Sequence, residues 1–379
     1  MSPKSSRVSA YFSHLVSHLG SDKEVHCVAV AHMVPNTLEF APALDDLMTL
    51  SGLLAKPKSV TRPEHRTLSK MYKTPKLSRD WAENASAVVK VLHGQLRLRK
   101  KRVVLVDIGG YFAPSIDAIS EQFDGTILGV MEGTENGVVR YEERSPYKTP
   151  IVTVARSPLK LPEDHLVASS VVFSIEAVLR ARAEILQTRT AAVIGYGRVG
   201  RSIAGILRDR GINTVVYDRD AVKLAEAAAR GFQAHVRLED AVPHASLVVC
   251  ATGNKALGLA GFGLLQSGCV VASVTSSDDE FDLASLEKGY DKFGEKTDLV
   301  RYEENRGSGR HFFLVADGNA ANFIHGAVIG PAIQLIEGEK LKAIKELIDG
   351  NVPAGGARLH ELTTEQRRGV AEIWIEHFL

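Results

Sequence analysis

Glycines in a GxGxxG pattern are the residues of this chain whose spacing points most directly to a chemistry. Residues 191–194 suit a buried strand and lead directly into the pattern. Its first glycine permits a tight turn, its second lets a pyrophosphate approach the backbone, and its third lets the following helix pack closely on the strand. The N-terminus of that helix offers N–H groups and a positive dipole end to phosphates. The sequence therefore predicts a dinucleotide site at Gly195, Gly197, Arg198, Val199 and Gly200.

An acidic residue follows the fingerprint at the distance that a ribose contact requires. The next predicted strand, residues 214–217, ends at Asp218. A carboxylate there binds the adenosine ribose hydroxyls and repels a 2′-phosphate, which favours NAD over NADP as the cofactor. Arg219, the next residue, acts in the opposite sense. The alternative interpretation is a glycine-rich turn of an α/β fold that binds nothing.

Length and composition bound the elements that must position this site. At 379 residues the chain is too long for one core and indicates two or three domains. The 46 basic and 45 acidic residues give no net field that favours nucleic acid or an anionic membrane. The three cysteines lack metal-ligand spacing, so we expect buried thiols, a reducing compartment and no metal site. The polar N-terminus and the absence of any apolar run near 20 residues predict a cytoplasmic protein.

The hydrophobic pattern predicts two α/β regions. In the first 150 residues we expect strands at 25–33, 103–107 and 126–131, helices at 7–19, 37–53, 81–98 and 114–123, and a loop or short strand at 56–65. A long helix at 166–187 leads into the fingerprint strand, and later strands at 245–252 and 269–274 are followed by a hairpin signal at 299–316. The strand ending in Thr252, Gly253 and Asn254 should reach the ligand-binding carboxyl edge of the sheet.

This pattern predicts the fold class and the domains. We expect an α/β protein with a Rossmann-type, doubly wound parallel sheet for the cofactor and a second α/β domain for the substrate. The predicted divisions are a substrate domain at residues 1–186, an NAD domain at 187–318, and a C-terminal segment at 319–379 that packs back on the substrate domain.

Several separated stretches, taken together, resemble the adenosylhomocysteinase family over most of the chain. They are Ala31-His32-Met33, Asp107-Ile108-Gly109-Gly110, residues 129–138, Lys148-Thr-Pro150, Lys160 with Asp164, residues 195–200, residues 316–322 and residues 362–366. In that family NAD oxidises the ribose 3′-hydroxyl, the resulting ketone acidifies the 4′ C–H, a 5′ thiolate is eliminated, water adds, and the ketone is reduced again. The resemblance implies NAD as a cofactor that the reaction does not consume.

The resemblance also implies roles for particular residues. Lys160 and Asp164 match the pair that serves the 3′-hydroxyl, where a lysine acts as a base if its pKa is lowered. His32 matches a histidine near the 5′ position, and Asn322 matches a residue near the nicotinamide. The alternatives are an ordinary Lys–Asp pair on a loop and a satisfied histidine at a strand end.

Other positions depart from the family pattern. Ile108 and Gly133 stand where the family has catalytic carboxylates, with Glu132 the nearest candidate acid and Asp107 expected on the other face of its strand. His165 replaces an asparagine that follows the catalytic aspartate, and we include it among the candidate catalytic residues. The NAD and oxidation parts of the apparatus are therefore kept, while the elimination and hydration parts are altered.

Three functions follow from this mixture. The first is an adenosylhomocysteinase-like enzyme that cleaves a nucleoside 5′-thioether. The second is an NAD-dependent nucleoside 3′-oxidoreductase or epimerase that uses the same 3′-ketone without thioether hydrolysis. The third is a catalytically silent NAD-binding paralogue that regulates a true hydrolase. In each case we expect a small nucleoside as ligand and a homo-oligomer, with neither nucleic acid nor membrane as partner.

Overall fold

A computed structural model describes residues 3–294, 298–305, 307–356 and 358–379. The chain forms two compact units. The first unit consists of Met1–Lys160 with Gly330–Leu379, and the second consists of Leu161–Ile329.

The first unit is built on a parallel sheet whose strands are buried on both faces. The apolar runs that form it leave few polar side chains to meet water, as in sheets that helices cover on both sides. The first five strands are β1 (Val25–Met33), β2 (Thr49–Val60), β3 (Arg102–Asp107), β4 (Thr126–Glu132) and β5 (Ile151–Thr153). Their order in the sheet is β5-β4-β3-β1-β2, and every pair is parallel. The chain thus reverses its direction of strand addition between β1 and β3, which creates a topological switch point.

Seven α-helices accompany these strands. They are α1 (Pro3–Leu19), α2 (Thr37–Leu47), α3 (Arg62–Met71), α4 (Arg79–Glu83), α5 (Ala85–His93), α6 (Ile116–Gln122) and α7 (Glu135–Glu142). A short 3₁₀ helix, Pro158–Lys160, closes this part of the chain.

Two of the predicted helices are wrong in extent. The helix predicted at 37–53 ends at Leu47, because the following residues pair in parallel with β1 and the strand continues to Val60. The loop or short strand predicted at 56–65 is therefore the end of β2 and the start of α3. The helix predicted at 81–98 is two helices, since Asn84 leaves the helical conformation and its side chain accepts a hydrogen bond from the Ala87 N–H as the N-cap of α5.

The second unit has the strand order of a dinucleotide-binding sheet. Its elements are α8 (Leu161–Arg180), β6 (Ala191–Ile194), α9 (Arg198–Asp209), β7 (Thr214–Tyr217), α10 (Ala221–Ala229), β8 (Gln233–His235), α11 (Leu238–Ala241), β9 (Leu247–Cys250), α12 (Leu259–Gly263), β10 (Cys269–Ser273), α13 (Ser277–Glu280), α14 (Leu283–Gly289), β11 (Tyr290–Phe293), β12 (Leu299–Glu304) and β13 (His311–Val315). The parallel strands lie in the order β8-β7-β6-β9-β10-β13, which is the Rossmann order. The predicted fold class is confirmed.

Two further strands extend this sheet at one edge. Strand β12 pairs antiparallel with β13, as the predicted hairpin requires, and β11 adds antiparallel to β12. Arg306, within the predicted turn, lies outside the described residues. Strand β11 had no signal in the sequence analysis.

The C-terminal segment completes the first unit. Helix α15 (Ala332–Ile348) is followed by strand β14 (His360–Glu361), which pairs in parallel with β5, and by helix α16 (Thr364–Phe378). The capping box between Thr363 and Gln366 starts α16. Residues of α15 and α16 belong to the same hydrophobic cluster as β1 and α2.

The observed division differs from the predicted one at both boundaries. The predicted substrate domain ran to residue 186, whereas the second unit begins at Leu161. The cause is α8, whose apolar residues pack into the same cluster as β6 and α9. The second boundary lies at Ile329 rather than at residue 318, because the two short 3₁₀ helices Ala316–Gly318 and Ala321–His325 remain with the second unit.

A buried ion pair ties the C-terminal helices of the first unit together. Glu339 of α15 is fully buried, and the Nε of Arg367 of α16 donates to its Oε1 at 3.0 Å. Arg367 also donates to the Glu361 carboxylate at 2.7 Å. Burial is the main cause that raises the pKa of Glu339.

No described helix is both long and apolar enough to span a membrane.

We predict that Arg367→Met destabilises the protein by about 3 kcal/mol, because removal of one partner leaves a buried carboxylate without its counter-charge. The loss should shrink below the ordinary pKa of a glutamate, where Glu339 is protonated in both states, and grow as the pH rises. Chemical denaturation at pH 4 and pH 8 measures this difference. The control is Arg368→Met, whose side chain is 57% exposed and whose loss should change stability by less than about 0.5 kcal/mol. Equal effects of the two changes would contradict the assignment.

Candidate functional site

The glycine loop of the second unit follows β6 as the fingerprint predicts. Gly195 has a φ of +97°, a conformation that side chains rarely adopt. A Cβ on Gly200 would overlap the carbonyl oxygen of Gly195, so this position requires glycine for packing alone. A Cβ on Gly197 would meet no heavy atom within 4 Å. The structure therefore gives no packing reason for glycine at Gly197, whereas close approach of a pyrophosphate supplies one.

Asp218 lies at the end of β7, beside this loop. Its Oδ2 accepts a hydrogen bond from the Tyr196 N–H at 2.6 Å, and its Oδ1 accepts one from the Asp220 N–H at 2.8 Å. The carboxylate thus fixes the glycine loop as well as lying where a ribose contact is expected. An ionised carboxylate accepts further hydrogen bonds through its remaining lone pairs.

The loop after β9 is held by Glu280, a residue that the sequence analysis missed. Glu280 is fully buried, and its Oε1 accepts hydrogen bonds from the N–H and the hydroxyl of Thr252, both at 2.8 Å. Its Oε2 accepts from the Gly253 N–H at 2.8 Å and from the Thr275 hydroxyl at 2.6 Å. Asn254, the third predicted residue of this loop, is exposed. Thr252, Gly253 and Asn254 therefore stand at the carboxyl edge beside the switch between β6 and β9.

Asn322 supplies a second observation that fits a bound cofactor. Its side chain is 6% exposed, and its amide oxygen has no hydrogen-bond partner in the described part of the chain. A buried amide without a partner is costly, so a ligand hydrogen bond at this position is favourable. Together with the open Gly197, this makes the second unit fit a dinucleotide.

Arg198 and Asp164 meet at the start of two helices of the second unit. Arg198 begins α9, and its Nη1 lies 3.9 Å from Oδ2 of Asp164 in the first turn of α8. Asp164 is buried, whereas His165 beside it is exposed. Val199 packs against the core cluster of this unit. The structure therefore brings one predicted catalytic residue close to the predicted cofactor loop.

The switch point of the first unit carries His32 at the end of β1. The hydroxyl of Ser59 donates to the carbonyl of Lys56 at 3.1 Å and lies 2.6 Å from Nδ1 of His32. Nδ1 of His32 and the Ser59 hydroxyl are therefore hydrogen-bonded to each other. Burial, followed by the charges of Lys56 and Lys340, holds the pKa of His32 well below its usual value. His32 is therefore a neutral imidazole at physiological pH.

Two carboxylates lie beneath this switch point. Asp107 and Glu132 are both fully buried at the ends of β3 and β4. Glu132 accepts hydrogen bonds from the N–H groups of Gly109, Gly110 and Thr134 and from the Thr134 hydroxyl, over 2.6–3.1 Å. A Cβ on Gly137 would overlap the Glu132 carboxylate. Glu132 thus organises the strand-end loops, and its catalytic role stays a prediction.

Asp107 is bound from the side of α7. Its Oδ2 accepts from the Phe112 N–H at 3.0 Å and from the Tyr141 hydroxyl at 2.9 Å, and its Oδ1 has no partner among the described residues. Burial raises the pKa of Asp107. Burial, and then the Asp107 charge, raises the pKa of Glu132 to about 8.

The positions of the family carboxylates hold no acid. A Cβ on Gly133 would lie 3.2 Å from Cγ2 of Ile108 and 3.3 Å from Cε of Lys340. Ile108 is itself buried among apolar side chains. The departures noted in the sequence therefore lie together in space, and a lysine lies beside them.

Residues 168–328 match the family profile "S-adenosyl-L-homocysteine hydrolase, NAD binding domain". The adenosylhomocysteinase of Thermoplasma volcanium is 26% identical over 291 residues, which cover 75% of this chain and 70% of that relative. The adenosylhomocysteinase of Archaeoglobus fulgidus is also 26% identical, over 60% of this chain and 56% of that relative. The chain is therefore similar to adenosylhomocysteinases, and residues 168–328 match their NAD-binding domain. Its cofactor is NAD.

One solved structure with a similar fold is the NADPH-dependent glyoxylate/hydroxypyruvate reductase of Sinorhizobium meliloti. It is 15% identical, with a TM-score of 0.46, and the match covers 82% of this chain and 99% of that chain.

The structure places the family's site residues in both units. Lys160 is the last residue of the first unit and is half-buried, and Asp164 stands four positions later in the second unit. The roles of Lys160, Asp164, His32 and His165 stay predictions. No described group of three or more His, Cys, Asp or Glu side chains has the geometry of a metal site.

The residues that the sequence analysis missed are charged groups without a motif. Glu280 comes at a helix end after β10, while Lys56 and Lys340 are separated by most of the chain and meet His32 only in the fold. Only the position of Glu280, close behind a predicted strand end, carried a usable signal.

We predict that Gly197→Ala and Gly200→Ala separate binding from folding. Gly197→Ala should leave the stability of the cofactor-free protein within about 0.5 kcal/mol, because its Cβ meets open space. It should weaken NAD binding more than about tenfold, because the methyl group occupies the path of the pyrophosphate. Gly200→Ala should cost about 1–3 kcal/mol of stability through overpacking. Thermal melts without cofactor and calorimetric titration with NAD measure both. Unchanged NAD affinity in Gly197→Ala would sink the cofactor assignment.

We predict that Asp107→Asn flattens the pH dependence of stability. Since the folded pKa values of Asp107 and Glu132 are raised above their unfolded values, the stability they allow is present at acid pH and falls as the pH rises from about 4 to about 8. The amide keeps an acceptor for Tyr141 and removes the charge that Glu132 feels. The variant should gain about 1–2 kcal/mol relative to the parent between pH 5 and pH 8.5. Denaturation curves across that range, with the exposed Asp80→Asn as control, test this. Parallel profiles for parent and Asp107→Asn would show that the pair is not coupled.

Proposed function

We propose that this chain is an NAD-dependent enzyme that oxidises the 3′-hydroxyl of an adenosine-type nucleoside. The observation that carries the proposal is the second unit, which keeps the Rossmann switch point, an open Gly197 and a buried Asn322 amide oxygen without a partner among the described residues. Similarity to the family supports the same first step. Bound NAD supplies the hydride acceptor.

The residues of the chain then divide the remaining work. Lys160 takes the proton of the 3′-hydroxyl as the hydride departs, and Asp164 positions the lysine. Arg198, 3.9 Å from Asp164, offers that carboxylate an opposite charge. His32, which its lowered pKa keeps neutral, takes a proton at the 5′ side of the sugar.

Two outcomes of the 3′-ketone remain to be separated. Cleavage of a 5′-thioether is the outcome that the family supports. The geometry at Ile108 and Gly133 favours the second candidate, a 3′-oxidoreductase or epimerase, because elimination needs a base at C4′ and these positions hold no carboxylate. The nearby acids Asp107 and Glu132 are buried and bound to the loop backbone and Tyr141.

We predict that a nucleoside substrate added to the NAD-loaded protein produces reduced nicotinamide, measured by its absorbance. Lys160→Ala should slow its appearance by about 10²–10⁴-fold, the usual contribution of a general base. His32→Ala should spare this oxidation and slow a later step. The control is Lys148→Ala, whose side chain is 80% exposed. If Lys160→Ala reduces the nicotinamide at the parental rate, Lys160 is not the general base.

Product analysis in the same reaction decides between the outcomes. Release of a thiol from adenosylhomocysteine supports hydrolysis, whereas a ketone or an epimer supports the second candidate. A protein that binds NAD and a nucleoside but never reduces the cofactor would be the silent paralogue, and the proposed function would fail.

A further inference from the structure

Lysine side chains converge on the switch point of the first unit from two elements. The Ser59 hydroxyl contacts both Nδ1 of His32 and the carbonyl oxygen of Lys56, so Lys56 lies close to His32 at the carboxyl edge of the sheet. Lys340 reaches the same edge from α15, with its Cε 3.3 Å from the position of a Cβ on Gly133. Both lysines are half-buried. The lowered pKa of His32, to which both lysines contribute, places their charges near its ring.

Arginine side chains lie close to these lysines. A Cβ on Gly109 would lie 3.5 Å from Nζ of Lys56 and 3.6 Å from Nη2 of Arg79, so these two cations flank the same glycine. The Arg79 guanidinium lies 4.0 Å from the centre of the Tyr111 ring, and its Nη1 donates to the Gly109 carbonyl at 2.8 Å. Arg140 donates to the same carbonyl. The ring and the carbonyl fix Arg79 in orientation, which suits it to a planar or tetrahedral anion.

Two buried acids stand next to these cations, at the ends of β3 and β4. Asp107 and Glu132 are fully buried, and their hydrogen bonds go to loop N–H groups, to Thr134 and to Tyr141. Because burial and mutual repulsion raise the pKa of Glu132 to about 8, these two acids carry less than their full negative charge at neutral pH. Lys56, Arg79 and Lys340, which we call the cation cluster, therefore bring three positive charges to an edge where these two acids carry fewer than two negative charges.

We infer that the cation cluster binds an anionic group on the 5′ side of the substrate, a phosphate or a carboxylate that has no neighbouring ammonium. This inference rests on the proposed function, which places His32 at the 5′ side. Ligands bind in the crevice at the switch point of such sheets, and Lys56 and Arg79 both approach Gly109 at this edge. An amino-acid tail carries an ammonium group, which half-buried cations a few ångströms away repel.

The substrate class is therefore an acidic nucleoside rather than a zwitterionic thioether. A nucleoside 5′-phosphate presents two negative charges to two lysines and an arginine fork, which is the chemistry that these side chains recognise best. A nucleoside with a 5′-carboxylate is the other source of the same recognition.

Calorimetric titration of the full chain with bound NAD tests this inference. The probes are adenosine, adenosine 5′-monophosphate, adenosine 5′-carboxylate and adenosylhomocysteine, in low and in physiological salt. We expect at least one of the two anions to bind more than about tenfold tighter than adenosine and adenosylhomocysteine, with an advantage that shrinks as salt rises. The tighter of the two anions identifies the source of the negative charge.

Variants separate the cluster from the general fold. Lys56→Gln and Lys340→Gln should each weaken binding of the preferred anion by about 10–100-fold and leave adenosine within about threefold. Lys340→Arg, which keeps the charge, should retain most of the affinity if Lys340→Gln fails to fold. The control on the same helix is Lys345→Gln, which removes a pair with Asp349 at the far end of α15.

The results distinguish this inference from the proposed function. Neither anion binding tighter than adenosine, or equal losses for adenosine and the anion in both glutamine variants, overturns the inference even if adenosine is oxidised. Tight, lysine-dependent binding of an anion supports it even if no nucleoside reduces the cofactor, in which case the proposed oxidation alone fails.

Discussion

Carboxylates that accept hydrogen bonds from backbone N–H groups hold the strand-end loops of both units. A loop that leaves a parallel sheet takes its N–H groups out of the ladder, and a buried N–H without a partner is costly. Glu132 supplies acceptors to Gly109 and Gly110 in the first unit, and Glu280 does so for Thr252 and Gly253 in the second. Asp218 fixes the glycine loop at Tyr196 in the same way. The edges that present ligand-binding groups are therefore ordered before any ligand arrives.

A carboxylate used in this way does little chemistry of its own. In the second unit, oxidation does not require the occupied carboxylates as catalytic acids. It requires bound phosphates and a correctly positioned nicotinamide. In the first unit, the side chains nearest to Gly133 are those of Ile108 and Lys340. The departures from the family are thus concentrated where the reaction after oxidation would be decided.

Local patterns predicted the second unit well, because the elements of the Rossmann motif follow one another along the chain. These elements are the strand, the three glycines, the amphipathic helix and Asp218. The first unit was harder. Strand β2 was taken in part for helix, since its pairing with β1 is a tertiary contact that propensity does not contain. His32 was found through resemblance alone. Lys56 and Lys340 carry no motif, and only the folded sheet and α15 bring them to one edge.

The lysine charges at the half-buried edge of the first unit have two effects. The same lysines that attract an anion keep His32 neutral, since a cation near an imidazole disfavours a second positive charge. Linkage requires the reverse effect as well: an anion held by the cation cluster offsets that field and raises the pKa of His32 toward its ordinary value. Burial, the largest cause of the lowered pKa, remains and keeps the rise partial. The charge of the 5′ group thus affects the basicity of the His32 imidazole beside it. Substrate recognition and proton transfer at this edge therefore depend on the same charges.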